Sequence, residues 1–279
     1  MYPPARKYLK GGGMLLATEP TKRLGWCPVP KSGTTFVGQA FAEMNLIEGD
    51  QLGSPKNITA NFFRLVSSKY SIYAKTYRDM DKLNDLSLFK MVVIRHPFSR
   101  LASCYQMMYR GQRWLKMIGD YQRIHMKYDV KDTVSNTPTN MSFPTFVEFV
   151  LHEAQNENES FDSISNYSPQ ALHWWPYTEL CGVCNVQYDF IARIETFDSD
   201  LQKLIKKFPE YRGVFRKMAN KKFVRNTNYN RQKLHSTHYL DLFRQITKVE
   251  IQKLYMRFKN DFEFGGYDYP SDYIVVGSD

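Results

Sequence analysis

The chain has 279 residues, 43% of them hydrophobic and 15% aromatic, which is enough to fill a sizeable core in one globular domain. Its formal net charge of +10, from 38 Lys+Arg against 28 Asp+Glu, favours anionic partners such as nucleic acid, an anionic polysaccharide or a phosphate-rich small molecule, without choosing among them. No apolar run reaches the roughly 18 residues of a membrane span, the opening Met1-Tyr2-Pro3-Pro4-Ala5-Arg6-Lys7 lacks the apolar core of a signal peptide, and no internal repeat or low-complexity segment is present.

In chain order, residues 1–23 read as a peripheral segment. Gly11-Gly12-Gly13 forms a break in it, and Met14-Leu15-Leu16-Ala17 a short edge strand. Residues 24–279 read as the domain proper. Leu24 to Val29 is an apolar strand, Pro30-Lys31-Ser32-Gly33-Thr34-Thr35-Phe36 a tight loop, and Phe36 to Leu46 an amphipathic helix. Tyr70-Ser71-Ile72-Tyr73-Ala74 is a candidate strand of the main sheet, and Lys82 to Leu88 a short helix. Phe89 to Arg95 is a second apolar strand, running into a helix opened by Pro97, with Phe98, Leu101, Ala102 and Tyr105 on one face. Residues 112–141 are polar, basic and aromatic without clear period, either an insertion over a site or a surface loop. Phe143 to Leu151 is a helix capped by Ser142, Tyr188 to Glu195 contains a strand, and Thr196 or Asp198 caps a helix reaching Phe208. Lys217 to Lys233 is a basic stretch read mainly as solvated surface. His238 to Phe258 reads as one long amphipathic helix.

Two of these strand-to-helix turns carry the chemistry. In the first, a glycine permits close backbone approach, Thr34 and Thr35 open a helix with N–H and hydroxyl donors, and Lys31 adds a full charge to the helix terminus. This is a phosphate cradle, but not a Walker A loop, since Lys31 precedes the only glycine. In the second, Arg95 ends a strand and Ser103 follows eight residues later, two turns into the helix, within reach of a shared ligand. Arg100 is a further cation there, either helping or simply exposed.

Pro30-Lys31-Ser32-Gly33-Thr34-Thr35 resembles the 5′-phosphosulfate loop of sulfotransferases, and Arg95 followed by Ser103 resembles their 3′-phosphate site. The run Arg95-His96-Pro97-Phe98-Ser99-Arg100-Leu101-Ala102-Ser103 is similar to that of the Golgi carbohydrate sulfotransferases, the group with the chondroitin and dermatan 4-O-sulfotransferases. His173-Trp174-Trp175-Pro176, Cys181-Gly182-Val183-Cys184, Tyr188-Asp189-Phe190-Ile191 and the closing Asp261–Tyr267 extend the likeness over residues 25 to 270. The resemblance implies an α/β, P-loop-like sulfotransferase fold, a central parallel sheet of four or five strands flanked by helices. It also implies 3′-phosphoadenosine 5′-phosphosulfate (PAPS) as co-substrate, held by Pro30 to Phe36 with Arg95 and Ser103. No metal is required. The acceptor would be a glycan or glycosaminoglycan, and the location the Golgi lumen, through a membrane anchor absent from this chain, or secretion. Relatives usually carry a Cys-Thr loop after the lysine, so Ser32-Gly33-Thr34-Thr35 leaves the acceptor subfamily open.

A general base for the acceptor hydroxyl is expected from His173, whose neighbouring tryptophans could stack on a sugar, or from Glu195 at a strand end; Glu43, Glu48 and Asp50 are further carboxylates. The cysteines are Cys27, Cys104, Cys181 and Cys184, and they allow three disulfide connectivities. Cys181-Gly182-Val183-Cys184 alone could be a local disulfide, half a zinc site or a redox pair. Sequons at Asn57, Asn140 and Asn158, and a poorer one at Asn166, fit a secretory-pathway protein. Three other readings compete: a kinase with a variant loop, which lacks a Walker A and a magnesium carboxylate; a sulfotransferase-like protein that binds glycan without catalysis; and a nucleic-acid binder, against which the scattered basic residues speak.

Overall fold

The computed structural model describes residues 14–45, 71–74, 83–84, 86–109, 142–155, 171–219 and 238–276. The insertion read at 112–141, the four sequons, Glu48, Asp50 and most of the basic 217–233 stretch lie outside these residues. In chain order the described elements are β1 (Met14–Thr18), β2 (Leu24–Cys27), α1 (Thr34–Met44), β3 (Ser71–Ala74), β4 (Phe89–Ile94), α2 (Pro97–Tyr109) and α3 (Phe143–Gln155). They continue with α4 (Tyr177–Leu180), β5 (Phe190–Arg193), α5 (Phe197–Lys207), α6 (Arg212–Ala219), α7 (His238–Phe243), α8 (Lys248–Gly265) and α9 (Ser271–Val276). The chain divides into two compact units, Met1–His96 with Glu159–Asn230, and Pro97–Asn158 with Arg231–Asp279.

The first unit is α/β. Its five strands lie in the order β3-β1-β2-β4-β5. β2, β4 and β5 form the expected parallel set, with β5 last in the order, Leu24 opposite Phe89 and Ile94 opposite Arg193. Because both faces of β2 and β4 are covered, β2 and the Met91–Ile94 part of β4 are continuous apolar runs rather than alternating ones, and all four residues of β2 are buried. β1, expected at an edge, instead sits between β3 and β2 and pairs antiparallel with both, so the sheet is mixed. A hairpin of only five residues joins β1 to β2, which forces that pair to be antiparallel.

On one face of the sheet, Leu24, Trp26, Met91, Val93 and Ala192 pack against residues of α1, α5 and α6, including Phe41, Leu201 and Phe215. Trp26 and Phe41 lie 5.4 Å apart, ring centre to ring centre. Alternation sends Cys27 to the opposite face, where its disulfide with Cys181 fastens the segment just after α4 to the end of β2.

The second unit is helical and built on rings. Phe98 of α2 lies 5.0 Å from Phe243 of α7, 5.3 Å from Phe262 of α8 and 5.2 Å from Tyr273 of α9. Phe143 of α3 joins it, 5.1 Å from Phe243. Such offset and edge-on pairs add about 0.5–1.5 kcal/mol each beyond area burial. The single helix expected over 238–258 is two. It breaks at Thr247, where Thr247 and Glu250 form a reciprocal capping box that opens α8. Among the described residues no helix is long and apolar enough to cross a membrane.

Candidate active site

β2 delivers the chain into the loop at Val29. Ser32 N–H donates to Val29 O at 3.2 Å, and the Thr34 hydroxyl donates to the same carbonyl. This second bond corrects one expectation: the Thr34 hydroxyl donates within the loop, and the residue is buried. Lys31 adopts φ 68° and Gly33 φ 75°, both left-handed. A left-handed residue followed by the right-handed turn of α1 makes successive backbone N–H groups converge, the geometry of an anion-binding concavity. A lysine held left-handed is strained, by about 1–2 kcal/mol, and such strain gathers at binding sites.

The Phe36 ring packs edge-on to Phe197 at 5.0 Å and covers Gly33. A Cβ on Gly33 would come within 2.2 Å of the Phe36 ring and 2.8 Å of Ile194 Cδ1. The missing side chain therefore makes room for a ring of the protein itself. Phe36 N–H donates to Gly33 O at 3.1 Å, so it belongs to the helix. Ser32 Oγ, in contrast, is buried and has no hydrogen-bond partner among the described residues. Pro30 and Thr35 are half-buried beside it.

The second turn meets the first. Arg95, at the end of β4, is 1% exposed, and its Nη1 donates to the carbonyl oxygen of Lys31 at 3.4 Å. Beside it, Glu195 in the 3-10 turn Ile194–Thr196 accepts the backbone N–H of His96 at 2.9 Å. Lys31, Arg95 and Glu195 thus belong to one neighbourhood, where β2, β4 and β5 end. Ser103 lies in α2 of the second unit and is half-buried. Arg100 of the same helix is 1% exposed, so it is a buried cation, not a surface one.

His173 closes the 3-10 turn Ala171–His173 and is half-buried. The two tryptophans after it are 3% and 8% exposed, so their faces are taken up by the protein and offer no platform for a sugar ring. The disulfide joins Cys27 to Cys181 across a sequence separation of 154, with Cα atoms 6.0 Å apart. Cys181 therefore has no thiolate for zinc and does not pair with Cys184, which is exposed; Cys104 is buried and stands outside the disulfide.

The sequence reading did not single out the carboxylates Glu19 and Asp200. Glu19, fully buried in the β1–β2 hairpin, accepts from Thr21 N–H at 2.6 Å and the Tyr211 hydroxyl at 2.7 Å, and also from the Arg23 N–H. Burial pushes its carboxyl upward, but the bonds from Thr21, Tyr211 and Arg23 outweigh it and hold the group below the usual range. Asp200 behaves alike. Burial raises it, while Lys203, the Arg193 N–H and Thr196 together bring it down. Both carboxylates are structural. Neither sits in a motif, and no sequence signal distinguishes them from surface acids.

A family model described as the sulfotransferase family matches residues 15–269, nearly the whole chain, including both turns. The chain belongs to the sulfotransferase family. It is similar to carbohydrate sulfotransferase 10 of Xenopus laevis, 24% identical over 255 residues that cover 89% of this chain and 66% of that protein. The human carbohydrate sulfotransferase 10 is 27% identical over 262 residues, covering 90% and 65%. Carbohydrate sulfotransferase 12 of Xenopus laevis is 26% identical over 215 residues, covering 73% and 46%. The chain thus spans about two thirds or less of the length of these relatives. No solved structure matches it.

Proposed function

We propose that this chain is a carbohydrate O-sulfotransferase that moves a sulfuryl group from PAPS to a hydroxyl of a glycan or glycosaminoglycan. The observation that supports this reading is the contact of Arg95 with the Lys31 carbonyl, which joins the ends of β2 and β4. The orphaned, buried Ser32 hydroxyl and the left-handed turn at Gly33 suit a sulfated and phosphorylated donor.

The donor supplies the activated sulfuryl group, and the protein's work is positioning and charge. Lys31 offers a full positive charge where the leaving oxygen becomes negative, and the N–H groups at the start of α1 add fixed dipoles. Arg95 presents a planar fork suited to a terminal phosphate, which separates this donor from ATP. Ser103 enters from the motif alone. Glu195 accepts a backbone N–H and so has a structural task, and His173 is the base proposed for the acceptor hydroxyl. The disulfide supports an oxidising compartment such as the Golgi lumen or the outside of the cell.

Calorimetric titration with 3′-phosphoadenosine 5′-phosphate, the desulfated product, tests the donor assignment. Binding by the wild type, weak binding of ATP, and loss of binding in Arg95→Ala are expected. A folded wild type that ignores the nucleotide would leave a glycan-binding protein without catalysis.

A further inference from the structure

β4 and β5 run parallel from Met91 opposite Phe190 to Ile94 opposite Arg193, and a carboxylate closes each end of their ladder. At the start, Asp189 Oδ2 accepts the Lys90 N–H at 2.8 Å, while Asp189 N–H donates to Lys90 O at 2.9 Å. At the far end β5 stops at Arg193 and turns at once into the 3-10 helix Ile194–Thr196, so strand carbonyls are no longer presented to β4. Extending the register sets His96 opposite Glu195. There the Glu195 side chain takes over the ladder, its Oε1 accepting the His96 N–H at 2.9 Å.

The peptide held in this way is the one that follows Arg95. Fixing its plane fixes the backbone at Arg95, and so the direction in which that buried side chain leaves the strand toward the Lys31 carbonyl. We infer that Glu195 is a positioning residue for the donor: its carboxylate clamps the Arg95–His96 peptide and thereby aims the Arg95 guanidinium at the Lys31 loop. The inference rests on the donor site proposed above. It replaces the role of general base that the position of Glu195 at a strand end suggests.

Length and charge separate the two roles. Glutamine keeps the reach and an accepting oxygen but loses the charge. Aspartate keeps the charge and is one methylene too short. Titration with 3′-phosphoadenosine 5′-phosphate, beside hydrogen exchange of the segment containing the His96 amide, compares wild type with Glu195→Gln, Glu195→Asp and Glu195→Ala. The Gln variant is expected to bind within about threefold of wild type and to keep the His96 amide protected. The Asp and Ala variants are expected to lose roughly tenfold in affinity and to exchange at His96 about tenfold faster, with circular dichroism unchanged. Affinity that follows charge, retained in Asp and lost in Gln, overturns the inference, as does an Ala variant that binds like wild type. A wild type that fails to bind the nucleotide sinks the donor assignment instead, while exchange at His96 in the Gln and Asp variants still reports on the clamp.

Discussion

Arg95 donates from Nη1 to the backbone carbonyl of Lys31, 3.4 Å away, although 64 residues separate them in sequence. The left-handed conformation of Lys31 determines where that carbonyl points. One guanidinium nitrogen thus braces the loop, and the remaining N–H groups of the fork stay with Arg95 for its other partners. A lysine cannot replace this division of labour, because an ammonium is a point donor on a flexible stem.

Arg95→Lys is therefore expected to weaken binding of 3′-phosphoadenosine 5′-phosphate by about tenfold or more, the loss of one hydrogen bond to a charged group. Calorimetry measures it directly. Lysine binding as tightly as arginine would show that charge alone suffices.

Gly33→Ala meets two obstacles, the left-handed φ of 75° and a Cβ 2.2 Å from the Phe36 ring. Backbone strain and overpacking together are expected to cost about 2–5 kcal/mol in urea unfolding, along with nucleotide binding. A variant of unchanged stability would mean that the loop readily adopts another conformation.

Opening the Cys27–Cys181 bridge with Cys27→Ser is expected to cost about 2–5 kcal/mol, since the crosslink closes a very long loop. Cys184→Ser, at an exposed free thiol, should stay within about 0.5 kcal/mol. Denaturation midpoints of the two variants, each beside wild type, settle which cysteine carries the fold.

Glu19 makes the first unit sensitive to acid. Its folded-state pKa lies below the ordinary 4.5, so its contribution is complete above that value and is lost as pH falls through the lowered one. Its partner Tyr211 is pushed up to about 12 by burial first and then by Glu19, so stability declines again as pH rises from 10 toward 12. Glu19→Gln should flatten the acid limb of the stability curve, and Tyr211→Phe the alkaline one. An unaltered acid slope in Glu19→Gln would assign the acid sensitivity to other carboxylates.

Much of the architecture was legible because it is written in local pattern. The apolar runs of β2 and β4 announce strands covered on both faces, and Pro97 announces the start of α2. Even the break between α7 and α8 had a signal, the Thr247-x-x-Glu250 capping box, hidden by the apolar period running through it. The place of β1 did not have one. An apolar strand of five residues reads alike at an edge or inside a sheet, and partners on both sides decided it.

The sequence by itself determined the two strand-to-helix turns, their order and the family, because each turn is a contiguous set of residues whose pattern does not depend on what lies far along the chain. The tertiary structure decided what those residues do with one another. It paired Cys27 with Cys181, spent the Thr34 hydroxyl on the loop, laid the Phe36 ring over Gly33 and buried both tryptophans. It also set Glu195 on the His96 amide and Arg95 on the Lys31 carbonyl. Most of these contacts join residues tens of positions or more apart, and they exist only once a sheet has brought the ends of its strands together.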